Sequence, residues 1–235
     1  MKTTYSTPLE HKYLDAEIQD KHHNLILENL LSLYELQPGD RVLEIGSGTG
    51  RYTKFLIDRG FNIVAVEPDP VLAEKLIQRL KNSPNYELCI QSAESITTTR
   101  MGIKLVCGFH VLHHLDKSSL SIFGAKLRAM ESENKDFAGW FFLEPNPWCP
   151  FYLIQILFTP GMRFDEEKGI WLNKNNEILG TERRKVVMGT IGLFPPRGFL
   201  KYVPLRLQRL STSLSSRSSI HRLYKIYGVR CKIKK

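Results

Sequence analysis

The fold of this 235-residue chain is decided by the stretch Glu44-Ile45-Gly46-Ser47-Gly48-Thr49-Gly50. Residues 41–45 (RVLEI) lead into it and have the character of a buried strand. The residues after it repeat at helical spacing, in Tyr52, Phe55 and Leu56. Glycines between a strand and a helix let the backbone turn sharply and approach a ligand closely. The stretch therefore predicts a ligand-binding loop at the end of a strand.

Outward from this loop, strand and helix patterns alternate as far as residue 143. Strands are predicted at residues 41–45, 61–66, 86–90, 104–110 and 139–143, with two more at 184–193 and 228–233. Helices are predicted at about 17–36, after the glycine loop, from Pro70 onward, around 120–130 and at about 203–226. This alternation predicts an α/β fold with a doubly wound, mainly parallel seven-stranded sheet and helices on both faces.

Two carboxylates near the loop restrict the ligand. Glu67 ends the second predicted strand, where an acidic side chain can accept both hydroxyls of a ribose. A dinucleotide site needs a third glycine three residues after the second, but Arg51 stands there and Gly50 comes one residue too early. Glu44, just before the loop, would oppose a phosphate. The pattern therefore favours a ribose-bearing, cationic ligand.

Four motifs in this order and spacing resemble class I S-adenosylmethionine-dependent methyltransferases. They are VLEIGSGTGRYTKFL at 42–56, VAVEPDP at 64–70, QSAES at 91–95 and CGFHVLHHLD at 107–116. Within that class, the chain is most similar to the ubiquinone/menaquinone-methyltransferase-like group. The resemblance covers residues 25–146. It implies an enzyme with the Rossmann-like methyltransferase fold and with S-adenosyl-L-methionine as cofactor.

The resemblance also implies which residues bind the cofactor. The glycine loop would line its methionine and ribose side, with Glu44 beneath the loop, and Glu67 would hold the ribose hydroxyls. Residues after the second and third strands would flank the adenine, and those ending the fourth would lie near the sulfonium. The implied cofactor-binding residues are Glu44, Gly46, Ser47, Gly48, Gly50, Glu67, Pro68, Asp69, Ala93, Glu94, Phe109 and His110.

The methyl acceptor is expected at the carboxyl ends of the fourth and fifth strands, where open α/β sheets bind ligands. The candidate catalytic residues there are His110, His114 and Glu144. His110 is the first choice as general base, because histidine titrates near neutral pH. The pair His113-His114 is also consistent with a purely structural role. Some relatives bind a divalent metal through acidic residues where this chain has His110 and His113, so no metal site is predicted.

Charge is distributed unevenly along the chain, whose net charge is +9. Residues 183–235 contain 14 lysines and arginines and no acidic residue, whereas residues 1–182 carry a net charge of −5. Such asymmetry indicates an anionic partner or a solvated basic face. One expected partner is a small-molecule or amphiphilic acceptor, which an anionic group would suit to this basic region. The other is a membrane surface, contacted peripherally through the same region. Nucleic acid is a less favoured partner.

The expected organisation is a single methyltransferase domain, residues 1–235. It comprises an N-terminal helical cap (1–40), a cofactor-binding core (41–146), an acceptor-side insertion (147–182) and a basic C-terminal region with the last strands (183–235). No apolar leader is visible, and prolines interrupt the apolar stretch 140–158, which is too short to span a bilayer. A cytoplasmic location is expected, with peripheral contact to the inner face of a membrane as a variant.

The leading functional hypothesis is O- or C-methylation of a small-molecule or lipid-linked acceptor. Aromatic residues are frequent beyond residue 147, as in pockets for apolar acceptors. One alternative is an RNA methyltransferase that uses the basic C-terminal region. The Asp/Asn-Pro-Pro-aromatic motif that is usual in N-methylating nucleic-acid enzymes is replaced here by Phe109-His110-Val111-Leu112. The other alternative is a non-catalytic adaptor that kept the fold.

Overall fold

A computed structural model describes residues 27–28, 30–97, 102–146, 152–153, 156–157, 164–167, 169 and 224–231. The strands are β1 (Arg41–Ile45), β2 (Asn62–Val66), β3 (Tyr86–Cys89), β4 (Leu105–Phe109), β5 (Gly139–Pro145) and β6 (Tyr224–Arg230). The helices are α1 (Arg51–Ile57), α2 (Pro70–Leu80), α3 (Lys117–Glu133) and α4 (Phe164–Glu167), and residues 27–28 and 30–32 are also helical. Two 3₁₀ turns cover Ala93–Ser95 and Leu112–His114.

The described strands form one sheet in the order β3-β2-β1-β4-β5-β6. The first five strands are parallel, and β6 pairs antiparallel with β5. This arrangement confirms the predicted doubly wound, mainly parallel α/β fold. Strand order reverses between β1 and β4, and the carboxyl ends at such a reversal form a crevice that binds ligands. The glycine loop after β1 and the loop after β4 both lie there.

The end of the chain differs from the prediction. β6 begins at Tyr224, four residues before the predicted strand 228–233, so the predicted helix 203–226 is wrong over its last three residues. These residues are extended because they pair with the end of β5, where Pro145 lies opposite Tyr224. The predicted strand 184–193 lies outside the described residues. The division of the chain at residues 147 and 183 stays a prediction for the same reason.

The buried core lies on both faces of the sheet, and the antiparallel edge is fixed by a tyrosine. Tyr34, from the segment before β1, is 2% exposed and its hydroxyl donates to the carbonyl of Trp140 at 2.9 Å. A Cβ on Gly139 would lie 3.0 Å from the Tyr34 ring, and one on Gly228, which pairs with Phe141, would lie 2.8 Å from the Tyr34 hydroxyl. Side chains at either glycine would displace it. The N-terminal segment is therefore tied to the last strand pair.

No helix in the described part of the chain is long and apolar enough to cross a membrane.

Gly139→Ala is expected to destabilise the fold through the β5–β6 pair. Gly139 has a φ of +134°, and an added Cβ would lie 2.0 Å from the carbonyl oxygen of Val229. The strained φ costs about 1–3 kcal/mol and the overpacking about 1–3 kcal/mol more, so the free energy of unfolding should fall by about 2–6 kcal/mol. Denaturant unfolding measures it.

Gly102→Ala is the control for this prediction. Gly102 also has a positive φ, +59°, but a Cβ there meets nothing within 4 Å. It should cost only the left-handed strain of about 1–2 kcal/mol. Equal losses in the two variants would mean that the close packing at Gly139 contributes nothing.

Candidate functional site

The three glycines of the loop after β1, Gly46, Gly48 and Gly50, all have a positive φ but differ in what surrounds them. A Cβ on Gly46 would lie 2.4 Å from Val111 Cγ2, and one on Gly50 would lie 2.9 Å from Leu76 Cγ. These two glycines therefore allow the loop to pack against the loop after β4 and against α2. Gly48 has a φ of +55° and open space where its Cβ would be. The backbone at Gly48 is thus the part of the loop that a ligand can approach closely.

Glu67 follows β2 and lies beside this open position. Its Oε2 accepts from the backbone N–H of Gly48 at 2.8 Å, and its Oε1 accepts from that of Asp69 at 3.0 Å. Burial raises the pKa of Glu67, and the two backbone hydrogen bonds oppose that rise. A carboxylate has about four acceptor positions, so both oxygens can accept further hydrogen bonds. Ribose hydroxyls are suitable donors for them.

Glu44 is a second acidic side chain below the loop, and only one of its two oxygens has a hydrogen-bond partner. The side chain is fully buried; Oε2 accepts from Thr53 Oγ1 at 2.7 Å, whereas Oε1 has no hydrogen-bond partner. Burial raises the pKa of Glu44 to about 8, against the lowering effect of the Thr53 hydroxyl. A buried carboxylate that lacks a cation is stabilised when a positively charged group binds nearby. This environment fits the positively charged ligand that the sequence suggested.

The residues predicted to flank the adenine lie after β2 and β3. Asp69 is buried and caps α2 by accepting from the N–H of Val71 at 2.8 Å, with Pro70 in the first helical turn. Ala93 is buried in the 3₁₀ turn after β3. Glu94, half-buried beside it, has one inaccessible oxygen, Oε2, with no hydrogen-bond partner. An unpaired buried acceptor of this kind suits an exocyclic amino group.

Ser47 and Phe109 have clear packing roles. The Ser47 hydroxyl donates to the backbone carbonyl of Glu44 at 3.3 Å, which braces the start of the loop. Phe109 ends β4, is 5% exposed and stacks on Tyr52 of α1, with ring centroids 4.0 Å apart. Their contacts with a cofactor, like those of Pro68, stay predictions.

Glu144, predicted as a catalytic candidate, holds the loop after β4. Its Oε1 accepts from the backbone N–H groups of Val111 and Leu112, each at 2.9 Å, and its Oε2 lies 2.6 Å from His113 Nδ1. Burial opposes ionisation of Glu144, but His113 and the backbone hydrogen bonds outweigh it and keep the pKa below its ordinary value. Both oxygens are thus committed to contacts within the protein. This geometry favours a positioning role, and a catalytic role stays a prediction.

The two histidine candidates differ in their surroundings. His110 follows β4 in the left-handed conformation, with a φ of 56°, and its N–H donates to the carbonyl of Leu143 at 2.8 Å. It is half-buried at the carboxyl ends of the strands. Burial and the adjacent His113 lower the pKa of His114 to about 3. His114 is therefore neutral and a weak base at physiological pH, which leaves His110 as the stronger candidate for a general base.

Sequence reasoning missed a buried cluster beside these histidines. His113 Nε2 lies 3.3 Å from Glu167 Oε2 in α4, and the hydroxyl of Tyr152 donates to the same oxygen. Tyr152 and Glu167 fall in the predicted acceptor-side insertion, where no periodicity marked them. Thr53, the donor to Glu44, was also missed. The sequence could have indicated Thr53, because it lies on the buried face of α1, the helix that follows the glycine loop.

Within the described ranges, no three histidine, cysteine, aspartate or glutamate side chains are grouped so that they could hold a metal ion.

Part of the chain is similar to known methyltransferases. Residues 42–131 match a family model described as a methyltransferase domain. Ribosomal RNA small subunit methyltransferase A of Chlamydia trachomatis is 47% identical over 53 residues, which are 23% of this chain and 19% of that protein. The dimethyladenosine transferase of Saccharomyces cerevisiae is 37% identical over 60 residues, 26% of this chain and 19% of that protein. The chain thus spans about a fifth of the length of these curated relatives.

A solved structure matches over more of the chain. It is the methyltransferase domain of bacterial CtHen1-CN, which aligns with 88% of this chain and 98% of its own at a TM-score of 0.56 and 17% identity. At that identity the likeness concerns the fold. It supports the Rossmann-like methyltransferase architecture for the sheet described above.

The charge state of Glu44 gives a prediction in the absence of ligand. The pKa of Glu44 rises from 4.5 to about 8 on folding. The contribution of Glu44 to the free energy of unfolding is therefore complete below pH 4.5, and it is lost as pH rises towards 8. Between about pH 4.5 and about pH 7, the wild-type chain should lose about 3 kcal/mol relative to Glu44→Gln. Denaturant unfolding at several pH values measures the difference.

The control for Glu44→Gln is Glu133→Gln, which removes an exposed carboxylate at the end of α3. This variant should follow the wild type at every pH. A constant difference between Glu44→Gln and the wild type across the range would show that Glu44 titrates as an ordinary carboxyl group.

Proposed function

We propose that this chain transfers a methyl group from S-adenosyl-L-methionine to a hydroxyl oxygen or a carbon of a small-molecule or lipid-linked acceptor. Its residues 42–131 match a methyltransferase domain, and the fold is that of the class I S-adenosylmethionine-dependent methyltransferases. The observation that carries the proposal is the open backbone at Gly48 beside Glu67, at the reversal of strand order. The ubiquinone/menaquinone-methyltransferase-like grouping belongs to the same proposal.

The residues of the crevice fit the cofactor in charge and in hydrogen bonding. S-adenosylmethionine supplies an electrophilic methyl group on a positively charged sulfonium. Glu67 offers acceptors for the ribose hydroxyls, and Glu94 offers an unpaired acceptor for an amino group. Burial raises the pKa of Glu44 to about 8, and a cation bound nearby would favour its ionised form. The open space at Gly48 lets the backbone come close to the ligand.

His110 is the residue of this chain that would handle the acceptor proton. Methyl transfer to a hydroxyl or carbon requires loss of a proton from the acceptor, and a well-placed general base contributes about 10²–10⁴-fold. His110 lies at the carboxyl end of β4, next to the glycine loop across the sheet. Glu144 fixes the backbone that follows it. Alignment of the acceptor in this crevice supplies the rest of the rate.

An amphiphilic acceptor is supported by exposed apolar side chains after β5. Leu153, Leu157 and Phe164 are 42%, 76% and 56% exposed, whereas Tyr152 and Ile156 are buried. Apolar groups of this size at a surface are suited to a lipid or an apolar tail. The basic residues of 183–235 would add attraction to an anionic headgroup. A cytoplasmic location with peripheral contact to the inner face of a membrane is part of this proposal.

An RNA acceptor is the second candidate, and the relatives favour it. Two of the curated proteins that match are named for ribosomal RNA and for dimethyladenosine, and the C-terminal region is basic. The matches, however, cover at most 63 residues among these relatives. The end of β4 reads Phe109-His110-Val111-Leu112 and lacks the Asp/Asn-Pro-Pro-aromatic motif. For this reason the small-molecule or lipid-linked acceptor ranks first, and a non-catalytic adaptor ranks last.

Cofactor binding is tested by calorimetric titration with S-adenosylmethionine and S-adenosylhomocysteine. Gly48→Ala should weaken both by at least about tenfold, since its Cβ would enter the space that the ligand needs. Gly102→Ala has a similar φ and equally open surroundings but lies away from the crevice, so its affinity should match the wild type. Glu67→Ala should also lose binding. Equal affinities in Gly48→Ala and the wild type would contradict this placement of the cofactor.

The acceptor class is tested with radiolabelled S-adenosylmethionine. Lipid extract, a demethylated quinol, sugar phosphates and ribosomal RNA are offered in parallel, and the labelled product is identified. His110→Ala should lower transfer to a hydroxyl or carbon acceptor by about 10²–10⁴-fold while cofactor binding persists. Label in RNA, with binding that falls steeply with salt, would establish the second candidate. Cofactor binding without transfer to any class would favour the adaptor.

A further inference from the structure

His113 lies between two buried carboxylates from different parts of the chain. Its Nδ1 is 2.6 Å from Glu144 Oε2 in β5, and its Nε2 is 3.3 Å from Glu167 Oε2 in α4. The three side chains are at most 7% exposed. Ionised carboxylates only accept hydrogen bonds. Both contacts are therefore satisfied when both ring nitrogens carry a proton, and the imidazole is then a cation.

The contacts around His113 prevent it from acting as a general base for the methyl acceptor. Both ring nitrogens face carboxylates, so neither can exchange a proton with a methyl acceptor. Glu144 uses its other oxygen to accept from the N–H groups of Val111 and Leu112. Glu167 accepts in addition from the hydroxyl of Tyr152. The cluster is directed inward, and its effect on a bound acceptor has to pass through what it holds in place.

The cluster connects two parts of the chain that lie on either side of the proposed acceptor region. One side is the loop 110–114 after β4, which begins with His110 in its left-handed conformation. The other is the acceptor-side segment, defined here as the described residues 152–153, 156–157, 164–167 and 169. Tyr152 and Glu167 belong to this segment, and α4 contacts the 3₁₀ turn that contains His113. His113 contacts both Glu144 and Glu167 and so connects the two sides.

We propose that His113 is a positioning residue, whose imidazolium bonds to Glu144 and Glu167 and thereby fixes the acceptor-side segment against the loop that carries His110. The inference deepens the proposed function and rests on it for the meaning of the acceptor side. The hydrogen bonds and ion pairs that define the cluster all join side chains of this chain. Removal of His113 leaves two buried carboxylates without their shared cation, an unfavourable state that separation of the two sides relieves.

The charged cluster should persist through neutral pH and open in alkali. Burial lowers the pKa of His113, but Glu144 and Glu167 outweigh it and raise the pKa to about 9. Because the folded value exceeds the ordinary 6.5, the stabilisation is complete below pH 6.5 and is lost as pH rises through about 9. The ring of His114, whose pKa is about 3, lies 3.9 Å from that of His113. Around the two carboxylates, Tyr152 donates to Glu167, and His110 acts on Glu144 through its charge. Glu167, with a pKa of about 2, stays ionised throughout.

The test combines histidine NMR with hydrogen exchange on the full chain, with and without S-adenosylhomocysteine. The variants are His113→Gln and Glu167→Gln, with Glu133→Gln as a charge-matched control on the surface. Glu167→Gln keeps the shape of the side chain and its hydrogen-bond acceptor, so it remains informative if His113→Gln fails to fold. Calorimetry with S-adenosylhomocysteine is run on every variant.

One histidine of the wild type should show both ring nitrogens protonated at pH 7 and titrate near pH 9, and this signal should vanish in His113→Gln. Its pKa should fall by about one unit or more in Glu167→Gln. Amides of the acceptor-side segment should exchange about tenfold faster or more in His113→Gln, while those of β1 and β2 and the ligand affinity change little. Glu133→Gln should match the wild type.

A singly protonated His113 ring at pH 7, or unchanged exchange in both variants, would overturn the proposal. Equal acceleration across β1, β2 and the acceptor-side segment would also overturn it, because His113 would then support the whole fold and not one contact. Failure of the wild type to bind S-adenosylhomocysteine would count against the proposed function alone. The NMR and exchange results would still decide whether His113 joins the two sides.

Discussion

The carboxylate of Glu144 is the point on which the arrangement of the crevice depends. It stands near the end of β5, is almost fully buried, and receives two backbone N–H groups and the imidazole of His113. Those two N–H groups belong to the residues that follow His110, so they fix the chain where it leaves β4. The left-handed backbone of His110 is unfavourable for a non-glycine residue. It persists because hydrogen bonds on both sides determine the path of the chain.

The same anchor reaches the glycine loop through Val111. Because its N–H is bound to Glu144, the Val111 side chain lies against Gly46, where any Cβ would be only 2.4 Å from it. The loops after β1 and β4 therefore pack directly on one another at the reversal of strand order. Glycine at position 46 is required by this contact, and glycine at position 48 leaves room for a ligand. One motif thus serves packing and binding at positions two residues apart.

Features set by local spacing could be predicted from the sequence, and those set by distant contacts could not. The strands, the glycine loop and the placement of Glu67 beside it follow from periodicity and from the topology of parallel sheets. The contact of His113 with Glu167 joins residues 54 positions apart across a stretch without periodicity. The start of β6 was misplaced because pairing with β5, and not local propensity, makes Tyr224 extended.

Glu44 and Glu144 show how two equally buried carboxylates acquire opposite properties. Glu44 has a neutral hydroxyl donor and one unpaired oxygen, and its pKa is raised to about 8. Glu144 has a cation and two backbone donors, and its pKa is lowered. The acidic side chain on the glycine-loop side therefore has no cationic partner among its contacts, whereas the one after β4 and β5 contacts His113. A cation is therefore stabilised more on the glycine-loop side than after β4 and β5, which fits the positively charged sulfonium of S-adenosylmethionine.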